Sequence, residues 1–352
     1  MRMRCMMTMM PAARRRCPLL GGDTEVFCAS LVEGLAHLES TLEVDGGGGV
    51  SMRWCADAMR LVKRMQRELL AIFRKADVVA AVAAVPGAGA GRKGGDGECC
   101  SWFEQYMQET AALLDFCNAF KAAVSRMHRY CMVVDFAAQV GRAAAAGGAD
   151  GGSGGAVVSL VAGIADGWAS PAAVVREKLT SVKTAVAEAE RLGRTVASGG
   201  GGDDAGGMFV VTLVAKITMA VVSIFVLQAL TSRSPLDVVD AGSPAAAALG
   251  CAVVVPELEI WHKSLSLIHG RFPSRATVAE HEKVSMAVQD LISGHGDRQD
   301  ELVRTNVELL RARSGELREG VEMFDSVLDE VFDEVIRGRN EMLGILRDKA
   351  LT

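Results

Sequence analysis

The stretch that decides the fold is Val303–Val335, VRTNVELLRARSGELREGVEMFDSVLDEVFDEV. Val303, Val307, Leu310, Ser314, Leu317, Val321, Phe324, Leu328, Val331 and Val335 follow one another in steps of four and three. That is a 3.5-residue repeat, the period of a helix that packs along one seam, and only Ser314 interrupts it. Leu317, Phe324 and Leu328 are the expected centre of the buried seam. Residues 297–349 hold 14 acids against 9 Lys and Arg. One side of this helix is therefore apolar and the other acidic, which suits an intramolecular bundle helix with a solvated face and also a partner-binding seam.

The same helical period recurs upstream. Cys28, Leu31, Leu35, Leu38 and Leu42 form one stripe; Met52, Cys55, Met59, Val62, Leu69 and Ile72 form a second, with Ser51 placed as N-cap. Trp102, Tyr106, Leu113, Phe116, Phe120, Val124, Met127, Cys131 and Val134 make a long third. Ser170-Pro171 predicts a helix start leading to Leu192. Pro256 predicts another, through Leu258, Trp261, Leu265 and Ile268, and Val284, Val288 and Leu291 a short one after Ser274. No alternating strand pattern is apparent. The expectation is an all-α fold, an elongated bundle of long antiparallel helices.

Glycine runs separate these stripes at 46–49, 87–97, 147–155 and 199–207, and with 38 Gly but only 8 Pro they read as disordered linkers. The chain then divides into a basic tail, residues 1–22, and one helical domain, 23–352, carrying the Gly-rich inserts. The tail has Arg2, Arg4, Arg14, Arg15 and Arg16 and no acid before Asp23. Its charges follow rather than precede the Met-rich run, unlike a secretory signal; a disordered tail and an organelle transit peptide both fit.

The whole chain has 352 residues, 38 Lys+Arg against 43 Asp+Glu, and half of it is apolar. That excludes a wholly disordered chain, and a net charge of −5 leaves no expectation of nucleic-acid binding. Nine cysteines, an odd number without C-x-x-C, read as reduced thiols packed as small hydrophobes in a cytoplasmic protein.

Residues 208–230 stand apart. Eighteen of the 23 are apolar, a length that can span a bilayer, with Lys216 near the middle. Thr212, Lys216 and Ser223 share a narrow helical arc. This fits a buried bundle helix whose lysine escapes to solvent and also a membrane helix facing a partner.

Motifs of familiar catalysis are missing. Gly87–Lys93 lacks the Gly-Lys-Ser/Thr of a phosphate loop, and the glycines continue where a helix should begin. Glu259 and His262 form a Glu-x-x-His without the second copy that a di-iron bundle requires, so a surface histidine pair with His269 is expected. No enzyme, cofactor or metal is expected from these residues.

Two stretches carry a family resemblance. One is Leu113-Leu114-Asp115-Phe116-Cys117-Asn118-Ala119-Phe120, then Ser125-Arg126, within Trp102–Gln139, preceded by a helix at Met52–Ile72; the other is Gly338-Arg339-Asn340-Glu341-Met342-Leu343-Gly344-Ile345-Leu346-Arg347 near the C-terminus. Together they resemble the plant BYPASS family of ROH-like proteins, over most of residues 24–349. The resemblance implies a non-enzymatic regulator of plant development that restrains a root-derived mobile signal arresting shoot growth. It implies no catalytic residues; Leu113, Leu114, Asp115, Cys117, Asn118, Gly338 and Arg339 are the motif positions. Membership of the wider group implies exocyst-type trafficking components as partners, and a membrane-associated adaptor is the alternative function. Asp115 and Asn118 are expected to cap or cross-link neighbouring helices.

Overall fold

The computed structural model describes residues 22–42, 49–83, 96–147, 203–231, 259–273, 276–293 and 300–351. Among them are seven helices: α1 (Gly22–Thr41), α2 (Met52–Ala83), α3 (Asp96–Gly147), α4 (Asp203–Thr231), α5 (Glu259–Arg271), α6 (Ala279–Ser293) and α7 (Asp300–Leu351). The described part is an all-α bundle, as the periodicity predicts. The expected helix behind Ser170, the tail, the Gly87–Lys93 stretch and most of the glycine runs lie outside the described residues. Where the runs are described, regular structure reaches into them: Gly49 opens a short strand, α3 begins at Asp96 and α4 at Asp203, taking in Gly206 and Gly207.

Each stripe becomes a buried face. Val307, Leu310, Leu317, Val321, Phe324, Leu328, Val331 and Val335 of α7 are all buried, and so are Tyr106, Leu113, Phe116, Phe120, Val124, Met127, Cys131 and Val134 of α3. These two 52-residue helices, each roughly 78 Å long at 1.5 Å per residue, pack antiparallel along most of their length. Phe120 meets Phe324 edge-on with ring centroids 6.2 Å apart. Lys121 Nζ reaches Asp325 at 2.6 Å and Asp329 at 2.7 Å. The bundle is not antiparallel throughout, however. Lys63, Arg67 and Arg74 pair in that order with Glu330, Glu334 and Glu341, so α2 runs parallel to α7.

Helix α1 lies antiparallel on α2. Gly34 is the crossing point, where a Cβ would collide with Leu61 and Arg64. Ser51 caps α2 as expected, its Oγ accepting the Trp54 N–H at 3.1 Å. Glu280 adds a second cap that the sequence did not announce: its carboxylate accepts the Met52 N–H, 3.1 Å from each oxygen. The junction is held by a parallel pair of two-residue strands, β1 (Gly49–Val50) and β2 (Thr277–Val278), with Gly49 opposite Thr277. Two residues are too few to show a period of two, so no strand was legible. Gly49 is required there, because a Cβ would stand 2.9 Å from the Ala279 Cα.

Helix α4 is the central element. From Val211 to Thr231 every side chain is buried except half-buried Gln228, with mean hydropathy 2.1. It packs on α1, α2 and α3. A helix apolar all round needs an apolar surrounding on every side, and here protein provides it. The polar arc turns inward and corrects one expectation: Lys216 does not escape to solvent. Its Nζ stays inside, 2.7 Å from Glu109 Oε1 of α3, with both side chains close to nine-tenths buried. Thr218 of the same helix accepts the indole N–H of Trp261 at 2.8 Å, joining α5 to the core.

Candidate functional site: the docked and open faces of the C-terminal helix

The motif residues in α3 separate into two groups. Leu113 and Cys117 point into the core, and Leu114 packs at its edge. Burial pushes the Cys117 thiol up to about 12 against the opposing pull of Lys121, so it is a packing group and not a nucleophile. Asp115 and Asn118 lie on the exposed side of the helix.

Gly338 and Arg339 mark one of two polar anchors between α7 and α3. The Arg339 Nη1 donates to the Met107 carbonyl at 2.6 Å and to Thr110 Oγ1 at 2.8 Å. Thr110 is wholly buried and donates in turn to the Tyr106 carbonyl at 2.8 Å. Gly338 supplies the space for this approach, since its missing side chain leaves room for Tyr106 Oη, with Tyr106 Cζ 3.6 Å and Leu70 Cδ2 3.5 Å from where a Cβ would lie. The Tyr106 ring stands edge-on to Phe73 at 5.5 Å. Burial raises the phenol to about 12, Arg339 opposing. The phenol is therefore neutral at physiological pH.

The second anchor explains the break in the 3.5-residue repeat. Ser314 is wholly buried, and its Oγ donates to Asp135 Oδ1 at 2.9 Å. Arg318 pairs with the other carboxylate oxygen. Arg318 thus belongs to the interface, not to the idle surface its sequence position implies. A hydroxyl in an apolar seam has one satisfied register, so Asp135 and Ser314 fix how far α7 slides along α3.

Beside the first anchor, Glu334 is a nearly buried carboxylate held by Arg67 of α2 at 3.1 Å and by Arg337. Burial alone would raise its pKa, but the hydrogen bonds and charges of the two arginines prevail and lower it. Arg74 and Glu341 close the same α2–α7 contact. Spacing placed Tyr106 in the α3 stripe but not against Gly338, and no sequence signal picked out Glu334, Thr110 or Asp135, because the partners Arg67, Arg339 and Ser314 lie more than 175 residues away on other helices.

One flank of α7, beside its contact with α3, stays open. Phe332, Ile336 and Leu343 are 39%, 37% and 49% exposed, and a shallow depression of about 510 Å³ is lined, among the described residues, by Phe332, Asp333, Ile336, Arg337, Asn340 and Glu341. Most acids of α7 are neutralised: Glu308 by Arg142, Glu316 by Arg313, Asp325 and Asp329 by Lys121, Glu330 by Lys63. Glu319, Glu322 and Asp333 are exposed and make no ion pair among the described residues. At 100° per residue these three acids fall within about 60° of one another, beside the apolar trio. The open face is an apolar strip with an uncompensated acidic border.

Other candidate chemistry is not assembled among the described residues. Among the described residues no group of three His, Cys, Asp or Glu is placed to hold a metal. Glu259 is exposed on α5, His262 and His269 are both half-buried, and His269 rests 6.1 Å from Phe225 with its pKa lowered by burial. Comparison of the chain with protein-family models, with curated proteins and with solved structures finds no match.

Proposed function

We propose that this protein is a non-enzymatic helical scaffold that regulates plant development by presenting the open face of α7 to a protein partner. One observation supports this reading above the others. Helix α7, held to α3 by two polar anchors and to α2 by three ion pairs, keeps along its remaining flank an exposed apolar strip bordered by acids that make no ion pair among the described residues. Rigid support beneath an apolar patch is the arrangement of a binding face, since little ordering entropy is lost when a partner docks. The similarity to the BYPASS family adds the biological setting, restraint of a root-derived signal that arrests shoot growth, and Gly338 and Arg339 of its motif set the pose of α7. The test is Phe332→Ser with Ile336→Ser, assayed for thermal midpoint and for rescue of a loss-of-function plant. Stable protein without rescue supports the reading; full rescue refutes it.

The second reading is a membrane-associated adaptor for exocyst-type trafficking. Val211–Thr231 favours it, being 21 residues of bilayer length and hydropathy. In that case carbonate extraction leaves the protein in the membrane pellet, and proximity labelling in root cells returns trafficking components.

A further inference from the structure

The spacing and charge of the open flank of α7 specify the kind of partner it fits. We propose that its occupant is a basic amphipathic helix of a partner protein, with apolar residues over Phe332, Ile336 and Leu343 and Lys or Arg against Glu319, Glu322 and Asp333. This rests on the reading of α7 as a docking face and adds the chemistry of what docks there.

Three observations converge. The first is shape. Helix α3 runs beside this flank, joined to α7 by Lys121 on Asp325 and Asp329 and by Arg339 on the Met107 carbonyl. Met107 and Leu114 of α3 pack at the edge of the core. Two helices side by side leave a groove, and the ridges of a third helix fit such a groove. An added strand has nothing to pair with here, because α7 bonds its backbone N–H and C=O groups internally.

The second is the apolar strip. At 100° per residue, Phe332, Ile336 and Leu343 lie within about 40° of one another. A helix laid alongside meets them with residues at i, i+4 and i+11, the ordinary stripe of an amphipathic helix. The shallow depression of about 510 Å³ at Phe332 and Ile336 receives the ends of those side chains.

The third is charge. Asp325, Asp329 and Glu330 are already neutralised by Lys121 and Lys63, whereas exposed Glu319, Glu322 and Asp333 make no ion pair among the described residues. From Glu319 to Leu343 is roughly 36 Å, so the docked helix has about 24 residues. Three uncompensated carboxylates attract a basic helix and repel an acidic peptide or an anionic lipid surface. They discriminate among amphipathic helices, which the apolar strip alone does not.

The test is selection of a displayed library of helical 24-residue peptides, randomised at its apolar and charged positions, on the purified full chain. Protein carrying Phe332→Ser with Ile336→Ser serves for counter-selection. Surviving peptides are expected to hold Lys and Arg in severalfold excess over Asp and Glu. Their affinity, read by fluorescence anisotropy, is expected to fall about tenfold on Glu322→Lys with Asp333→Lys; each exposed pair is weak, but reversal turns two attractions into repulsions. The same change of net charge at exposed positions of α1 and α6, Glu33→Lys with Asp290→Lys, is expected to leave affinity unchanged. All of these substitutions are at exposed positions and should keep the thermal midpoint. Survivors without a basic excess, survivors indifferent to reversal at Glu322 and Asp333, or an equal loss in the Glu33 and Asp290 variant overturn the proposal. So does a library that yields no peptide distinguishing the two proteins. Sedimentation with phosphatidylcholine–phosphatidylserine vesicles that requires Phe332 and Ile336 also overturns it, because the face then meets lipid. Survivors that need Phe332 and Ile336 but lack the basic excess sink only the partner chemistry, whereas full plant rescue by Phe332→Ser with Ile336→Ser sinks the docking face itself.

Discussion

Alanine in place of Gly338 should destabilise the protein, although the same change a few residues later should stabilise it. Glycine in a helix interior is about 1 kcal/mol less favourable than alanine, so the substitution gains that amount wherever space allows. At Gly344 no atom lies within 4 Å of the new Cβ, and the gain is realised in full. At Gly338 the Cβ meets Tyr106 Oη far inside contact distance. The ring cannot swing aside freely, because it is buried and packed edge-on against Phe73. Overpacking of this kind costs about 1–3 kcal/mol, which leaves Gly338→Ala about neutral to 2 kcal/mol less stable. The structure also specifies the cure. Tyr106→Phe removes the clashing oxygen, and the nearest ring atom is then 3.6 Å away, ordinary contact. The assay is a double-mutant cycle by urea unfolding, with Gly338→Ala, Tyr106→Phe and the pair. The expected coupling is about 1–3 kcal/mol in favour of the pair, each kcal/mol moving the thermal midpoint by about 2–4 °C. If Gly338→Ala stabilises as Gly344→Ala does, or if Tyr106→Phe brings no relief, the close docking of Tyr106 over Gly338 is refuted.

Phe324→Asp places a carboxylate without a partner against Phe120 and should cost several kcal/mol, whereas exposed Glu319→Gln should stay within about 0.5 kcal/mol; comparable thermal midpoints for the two would mean the seam is not core. Lys216→Met strands Glu109 in the interior and should cost about 3–5 kcal/mol, while the double change Lys216→Met with Glu109→Leu should recover most of it in the same urea assay. Acid should weaken the fold in two stages. Burial lowers His281 from 6.5 to about 4, so its contribution is full above pH 6.5 and is lost as pH falls towards 4. Glu334 also has a lowered pKa, so its contribution is present above the usual carboxylate range and is lost below it, as pH falls through the folded value. A midpoint-versus-pH series should lose its lower stage in Glu334→Gln and keep the upper one.

The amino-acid sequence by itself determined the class of fold and the buried face of every described helix except α4. Apolar spacing in Val307–Val335, Tyr106–Val134 and Leu31–Leu42 states which side of a helix must leave water, and that is a local property of the chain. The N-cap at Ser51 was legible for the same reason, as a residue bonding three positions ahead. Ser314 was legible only as an anomaly; its meaning needed Asp135, 179 residues away. Tertiary structure alone decided the rest. It set α2 parallel to α7, turned Lys216 inward to Glu109, moved Asp115 and Asn118 to the surface, and joined Gly338 and Arg339 to Tyr106, Met107 and Thr110. The physical reason is that periodicity reports how much of a helix is apolar and on which side, but carries no information about which neighbour arrives there. Ion pairs, close glycine contacts and buried hydroxyls depend on pairs of residues, and those pairs exist only once the helices have met.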